Sequence, residues 1–189
     1  MEEKQDQRQA LTEEEIRGIF EAKCRDFDLK PTEKLFSRFR KHRGNQAKVK
    51  VFEMDNSSLG SHAAAMITKV LLNHCNFKII SLSGNNFGDK GAPALVDLIT
   101  QTRTIISVDL SSNSFTDDGF KTIFDAMCLN SSIIDLRIGT TSVITRNTIG
   151  PLGISSLAEL ISKNKLLASI DLSLTEMASE NIEPLSIAL

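Results

Sequence analysis

A chain of 189 residues and 20.8 kDa, 41% of them hydrophobic, has apolar material for one compact unit or one short solenoid, and two domains would be cramped. Its 22 Lys and Arg against 24 Asp and Glu give a net charge of −2, which excludes a generally basic nucleic-acid binder. No apolar stretch approaches the roughly 20 residues of a membrane span, and the polar start MEEKQDQRQA is unlike a secretory signal, so a soluble, cytoplasmic protein with disordered residues 1–10 is expected.

Residues 11–48 read as a helical cap. Thr12 followed by Glu13-Glu14-Glu15 is a capping-box pattern, and Ile16, Ile19, Phe20, Cys24 and Phe27 then share one helical face. Leu29-Lys30-Pro31 breaks that helix; Thr32 starts a second one with Leu35, Phe36 and Phe39 on its inner side. Lys30, Lys34, Arg38, Arg40, Lys41, Arg43, Lys48 and Lys50 are opposed only by Glu33. Such a cluster suits either a solvated helix end or an anionic partner: phosphate, acidic lipid or an acidic protein tail. Without Trp or Tyr to stack bases, nucleic acid is not the expected partner.

From position 49 the chain repeats itself. FKIISLSGNNFGDKGAPALVDLI from Phe77 aligns with IISVDLSSNSFTDDGFKTIFDAM from Ile105 at a constant offset of 28, matching Leu82 to Leu110, Asn85 to Asn113, Phe87 to Phe115 and Gly91 to Gly119. The same frame takes in Val49, Phe52, Met54, Leu59 and Ile67 upstream, and Ile133, Leu136 and Ile138 downstream. Each unit has a short strand of the form L-x-x-L-x-L, an Asn/Gly turn and a helix of about a dozen residues. The next strand, Leu167-x-x-Ile170-x-Leu172, arrives 34 residues later, and Gly153, Leu157 and Leu160 repeat Gly91, Leu95 and Leu98. The fourth unit therefore carries six extra residues between strand and helix, in 140–151. The sequence stops within the helix of a fifth unit (Asn181–Leu189): either the last repeat is left open, which predicts self-association through its apolar end face, or the sequence is the first part of a longer protein.

Strands spaced about 4.8 Å and helices about 10 Å apart force such a stack to curve with its strands inside. The expected fold is a right-handed α/β superhelix, with a parallel sheet on the concave face and helices on the convex face over residues 49–189. These motifs resemble the ribonuclease-inhibitor-like class of leucine-rich repeat proteins. SIIDLRIGTTSVITRN followed by GISSLAELISKNKLL is similar to tropomodulin-type repeats, and NNFGDKGAPAL to those of Ran GTPase-activating proteins. The resemblance implies a protein partner, with actin or a small GTPase as the specific alternatives, and a cytoskeletal association in the first case. Ser57, Thr141 and Thr175 stand where a turn Asn is expected, limiting an Asn ladder to Asn85 and Asn113.

Catalytic chemistry finds little footing. Phosphate-loop, dinucleotide, zinc-protease and nucleophile-elbow motifs are missing from the sequence. His42, His62 and His74 lack ligand spacing and read as surface residues; Cys24, Cys75 and Cys128 fit no disulfide or CxxC framework and read as reduced, buried small hydrophobes. No metal or cofactor is expected, nor an enzyme. The ordered polar array lies on the concave face, where Glu53, Ser81, Asp109, Arg137 and Asp171 form one column, Asp55, Ser83, Ser111, Gly139 and Ser173 its neighbour, and Asp135 lies on the column before. This mostly acidic trough suits a basic partner. Val143, Ile144 and Arg146 in the inserted loop, beside Arg137, are expected to add an apolar and cationic element on the rim.

Overall fold

The computed structural model describes residues 11–41, 50–74, 76–178 and 183–188. Residues 1–10, His42, Arg43, Lys48, Val49, Cys75, Asn181, Ile182 and Leu189, on which some expectations above fall, lie outside this set. Two helices, α1 (Glu13–Asp26) and α2 (Glu33–Lys41), precede the sheet. Strands and helices then alternate as β1 (Val51–Glu53), α3 (Ser61–Asn73), β2 (Ile79–Ser81), α4 (Gly88–Gln101), β3 (Ser107–Asp109), α5 (Asp117–Met127), β4 (Asp135–Arg137), α6 (Pro151–Lys163), β5 (Ser169–Asp171) and α7 (Glu183–Ala188). The strands form one parallel sheet in chain order. Its register pairs Phe52 with Ile80, Ile80 with Val108, Val108 with Leu136 and Leu136 with Ile170, so the sequence frame is also the hydrogen-bonding frame.

Equivalent apolar residues of successive units share one continuous core between sheet and helices. Met54, Leu82, Leu110 and Ile138 follow the strands, Leu59, Phe87 and Phe115 fill the turns, and Ile67, Leu95, Ile123 and Leu157 come from the helices; all are buried. Gly119 recurs at a close approach between units: a methyl group there would lie 2.3 Å from Asp89 Oδ1.

The N-termini of α3, α5 and α6 each receive a carboxylate from an element before them. Asp117 accepts hydrogen bonds from the N–H groups of Gly150, Leu152 and Gly153 at 3.0, 3.0 and 2.6 Å. Asp89 accepts from the Thr116 N–H at 2.8 Å and from its hydroxyl. The first unit has no repeat before it, and Asp26 at the end of α1 takes that role, accepting from Gly60, His62 and Ala63 N–H at 2.8, 2.8 and 3.2 Å. A cap helix thus imitates a repeat at its point of contact. Asp26→Ala should lower stability by about 1–2 kcal/mol, read by urea denaturation, with Asp26→Asn falling between it and the wild type.

Thr12 and Glu15 form the capping box at the start of α1. Ile19 and Ala22 join the main core, whereas Phe20, Cys24 and Phe36 make a small cluster of their own. Three expectations are corrected. Phe27 lies past the end of α1 and Leu35 at the edge of α2, and both are exposed because no neighbouring element covers them there. His74 is not a surface residue: its side chain is 13% exposed, with Nε2 2.8 Å from Glu15 Oε1 across the join of α1 and α3. Burial raises the Glu15 carboxyl, yet hydrogen bonds from Thr12 and His74 together hold it below the usual range.

The asparagine ladder is longer than the sequence frame implies. Asn85 Oδ1 accepts from Ser57 and Leu59 N–H at 3.0 and 3.1 Å, and its Nδ2 donates to the Met54 and Leu82 carbonyls at 2.9 and 2.8 Å. Asn113 Nδ2 repeats the pattern to Leu82 and Leu110. In the fourth unit the same place is filled by Asn147, not Thr141. Its Oδ1 accepts from Asn113 and Phe115 N–H at 2.9 and 3.0 Å, and its Nδ2 donates to Ile138 and Leu110 at 2.9 and 3.2 Å. The six inserted residues therefore precede the ladder Asn. Thr140 closes the insertion at its base, its hydroxyl donating to the Asn147 carbonyl and accepting from the Asn147 N–H. A second ladder at the helix-to-strand turns consists of Thr102, Asn130 and Asn164, each accepting two N–H groups two and three residues on.

Candidate functional site

The concave sheet carries the array read from the sequence. Register places Glu53, Ser81, Asp109, Arg137 and Asp171 side by side, with Val51, Ile79, Ser107, Asp135 and Ser169 in the adjoining column. Each strand turns one residue in three into the core, and its two neighbours face away from the helices.

Many of these carboxylates are held by local hydrogen bonds. Asp55 accepts from the Ser81 hydroxyl and Ser83 N–H, both at 2.8 Å. Asp109 accepts from Ser111 N–H at 2.9 Å, and Asp135 from the Ser107 hydroxyl at 2.8 Å. Asp171 accepts from both the N–H and the hydroxyl of Ser173; these bonds, with Arg137 nearby, keep its carboxyl below the usual range. The Arg137 guanidinium lies 3.3 Å from Asp135 and remains more than half exposed. The trough therefore consists of positioned carboxylate acceptors with Arg137 among them, an arrangement fitted to recognising complementary charge.

Exposed isoleucines also stand at the strand entries, which the charge pattern did not reveal. Ile79, Ile106 and Ile134 are 39%, 40% and 43% exposed at the entry edge of β2, β3 and β4. The signal was present in the sequence: the first residue after the leading apolar one of each strand motif reads Ile106 and Ile134 in successive units. Ile79 shares the column of Ser107 and Asp135, whereas Ile106 and Ile134 stand one residue ahead of that column in successive units.

On the rim, the inserted loop presents Val143 and Ile144 at 78% and 88% exposure. Ser112 Oγ holds the base of the loop, accepting from Thr141 and Ser142 N–H at 2.6 and 2.8 Å, so the tip points away from the core. Arg146 forms an ion pair with Glu176 in the next turn. Leu174 in that turn is 75% exposed and adopts a left-handed backbone (φ 57), where the equivalent turn positions hold Asn56, Gly84 and Ser112. A leucine in that conformation is disfavoured by about 1 kcal/mol, and it extends the apolar rim begun by Val143 and Ile144. Of the sequence-read residues, Asp135, Arg137 and Asp171 come together on adjacent strands, Val143, Ile144 and Arg146 share the loop, and Glu53 and Asp55 lie at the opposite end of the sheet.

The Leucine Rich repeat family matches residues 73–96 and 102–124, the second and third units. No curated protein matches the chain. Among solved structures, the chain is similar to "Leiomodin-1 Actin-Binding Site 2 (ABS2)", at 20% identity and a TM-score of 0.64 over 85% of this chain and 89% of that one. It is also similar to a tropomodulin C-terminal domain from Caenorhabditis elegans, at 17% identity and a TM-score of 0.61 over 84% and 92%. At these identities the likeness is one of fold. Repeat match, register and structural likeness agree that the chain is an α/β leucine-rich repeat solenoid.

Proposed function

We propose that the protein is a non-catalytic interaction module that binds a protein partner across its concave face and inserted loop, through Glu53, Asp55, Asp109, Asp135, Arg137, Asp171, Val143, Ile144 and Arg146. The observation that carries this reading is the row of hydrogen-bonded carboxylates along the concave sheet, with the exposed Ile79 in the same column as Ser107 and Asp135. A partner that brings aliphatic side chains flanked by Lys or Arg satisfies both. The likeness to an actin-binding site of leiomodin-1 and to a tropomodulin domain supports actin as the specific partner, with a cytoskeletal location. Co-sedimentation with filamentous actin and a polymerisation assay test that reading, and a GTP-hydrolysis assay with small GTPases tests the Ran-type alternative.

Whichever partner binds, exchanging Asp109 and Asp171 for Asn should slow association several-fold at low salt and leave dissociation nearly unchanged. The difference should vanish near 1 M salt, where the Debye length falls to about 3 Å. Association rates measured by surface plasmon resonance decide it; equal rates at low salt would remove the acidic columns from the contact surface.

A further inference from the structure

Between α1, α2 and the turn after β1 lies a half-open cleft of about 310 Å3, the size of a small-ligand pocket. Phe20 and Cys24, both buried, form its floor. Leu29, Leu35 and Phe39 form one wall and Asn56, Ser57 and Ser58 the other. Leu29 and Leu35 stay 55% and 38% exposed, so the cleft offers hydrocarbon that nothing among the described residues covers.

Two cations stand at its edges. Lys23 donates from Nζ to the Ser57 carbonyl at 2.6 Å, which fixes the ammonium beside the opening, and Arg38 faces it from α2. No carboxylate is among the described residues that line the cleft. Of the acids of the cap, Glu33 pairs with Arg17 at 2.6 Å, Glu13 with Arg40 at 3.3 Å and Asp26 with the N-terminus of α3, while Glu21 lies near enough to Cys24 to act on its thiol. Lys30, Lys34 and Lys41 add positive charge along the same stretch. The floor selects hydrocarbon and the rim selects an anion.

We propose that this cleft binds one small amphipathic anion, a linear aliphatic carboxylate, with its chain over Phe20 and Cys24 and its head group between Lys23 and Arg38. A single chain reaches a recessed floor that a flat bilayer surface does not. The site lies on the cap and is independent of the concave-face reading. The test is titration of the full chain with decanoate, below its micelle-forming concentration, by calorimetry and methyl NMR. One equivalent should bind, with shifts confined to Leu29, Leu35 and their neighbours. Decanol, with the same chain and no charge, should bind at least tenfold more weakly, as should decanoate to Arg38→Gln. Arg38 is exposed, so the variant should melt like the wild type, and the decanol comparison needs no variant at all. Absence of saturable decanoate binding, equal affinity for decanol, or an unchanged affinity in Arg38→Gln would each overturn the proposal. So would binding to phosphatidylserine vesicles without binding of monomeric decanoate, which would assign the cap to a membrane surface instead.

Discussion

Asn147→Ala should destabilise the solenoid by about 3 kcal/mol, whereas Thr141→Ala should change it by less than about 0.5 kcal/mol. Asn147 is fully buried and answers the Asn113 and Phe115 N–H groups as well as the Leu110 and Ile138 carbonyls. Alanine provides none of these partners and leaves no route for water, so the desolvation cost of several backbone groups falls on the folded state. Thr141 is exposed; its hydroxyl lies 3.1 Å from Ser112 Oγ in the turn below, and its backbone N–H, which alanine keeps, donates to the same oxygen. At this chain length the Asn147 loss corresponds to a fall in Tm of about 6–12 °C. If Thr141→Ala proved the more damaging of the two, the placement of the insertion ahead of the ladder would be wrong.

Deleting Thr141–Arg146 should abolish partner binding while leaving a folded solenoid. The deletion joins Thr140 to Asn147 and turns Ile138-Gly139-Thr140-Asn147 into the equivalent of Leu82-Ser83-Gly84-Asn85, the uninterrupted turn of the second unit. Thr140 then occupies the position where Gly84 has φ 70, which costs about 1 kcal/mol, and the Arg146–Glu176 ion pair is lost from the surface. Against these small terms stands removal of Val143 and Ile144, which are 78% and 88% exposed. Loops shorten at little entropic cost when their ends are already fixed, as the Thr140–Asn147 hydrogen bonds fix these. Thermal melting and binding should therefore separate, with Tm within a few degrees of the wild type and no measurable affinity.

The periodic part of the fold was readable because each unit repeats the same burial problem. Once Leu82 aligned with Leu110, the register of the strands and the membership of the concave columns followed from alternation. The frame misled where it broke. Counting forward from Ile138 reached Thr141, but counting back from the helix reaches the right residue: Asn147 stands six before Gly153, as Asn85 does before Gly91 and Asn113 before Gly119. The helix anchors the turn because its glycine sits against the preceding unit, whereas the strand end is free to accept an insertion. Asp26 was invisible for a different reason, since its partners lie 34 to 37 residues away and no periodicity links a cap to a repeat. Exposed isoleucines 106 and 134 were passed over because an apolar residue in a leucine-rich strand reads as core unless its place in the motif is counted.

Capture of partners from cytosolic extract, quantified in parallel on the wild type, the Thr141–Arg146 deletion and the Asp109→Asn/Asp171→Asn variant, tests the interaction reading most directly. All three proteins are first shown by circular dichroism to melt cooperatively. The account predicts a defined set of proteins retained by the wild type, lost from the deletion and reduced on the double variant at low salt, with actin in that set if the cytoskeletal reading is right. Identical retention by all three folded proteins would contradict it, because the partner would then be binding somewhere other than the concave face and its rim.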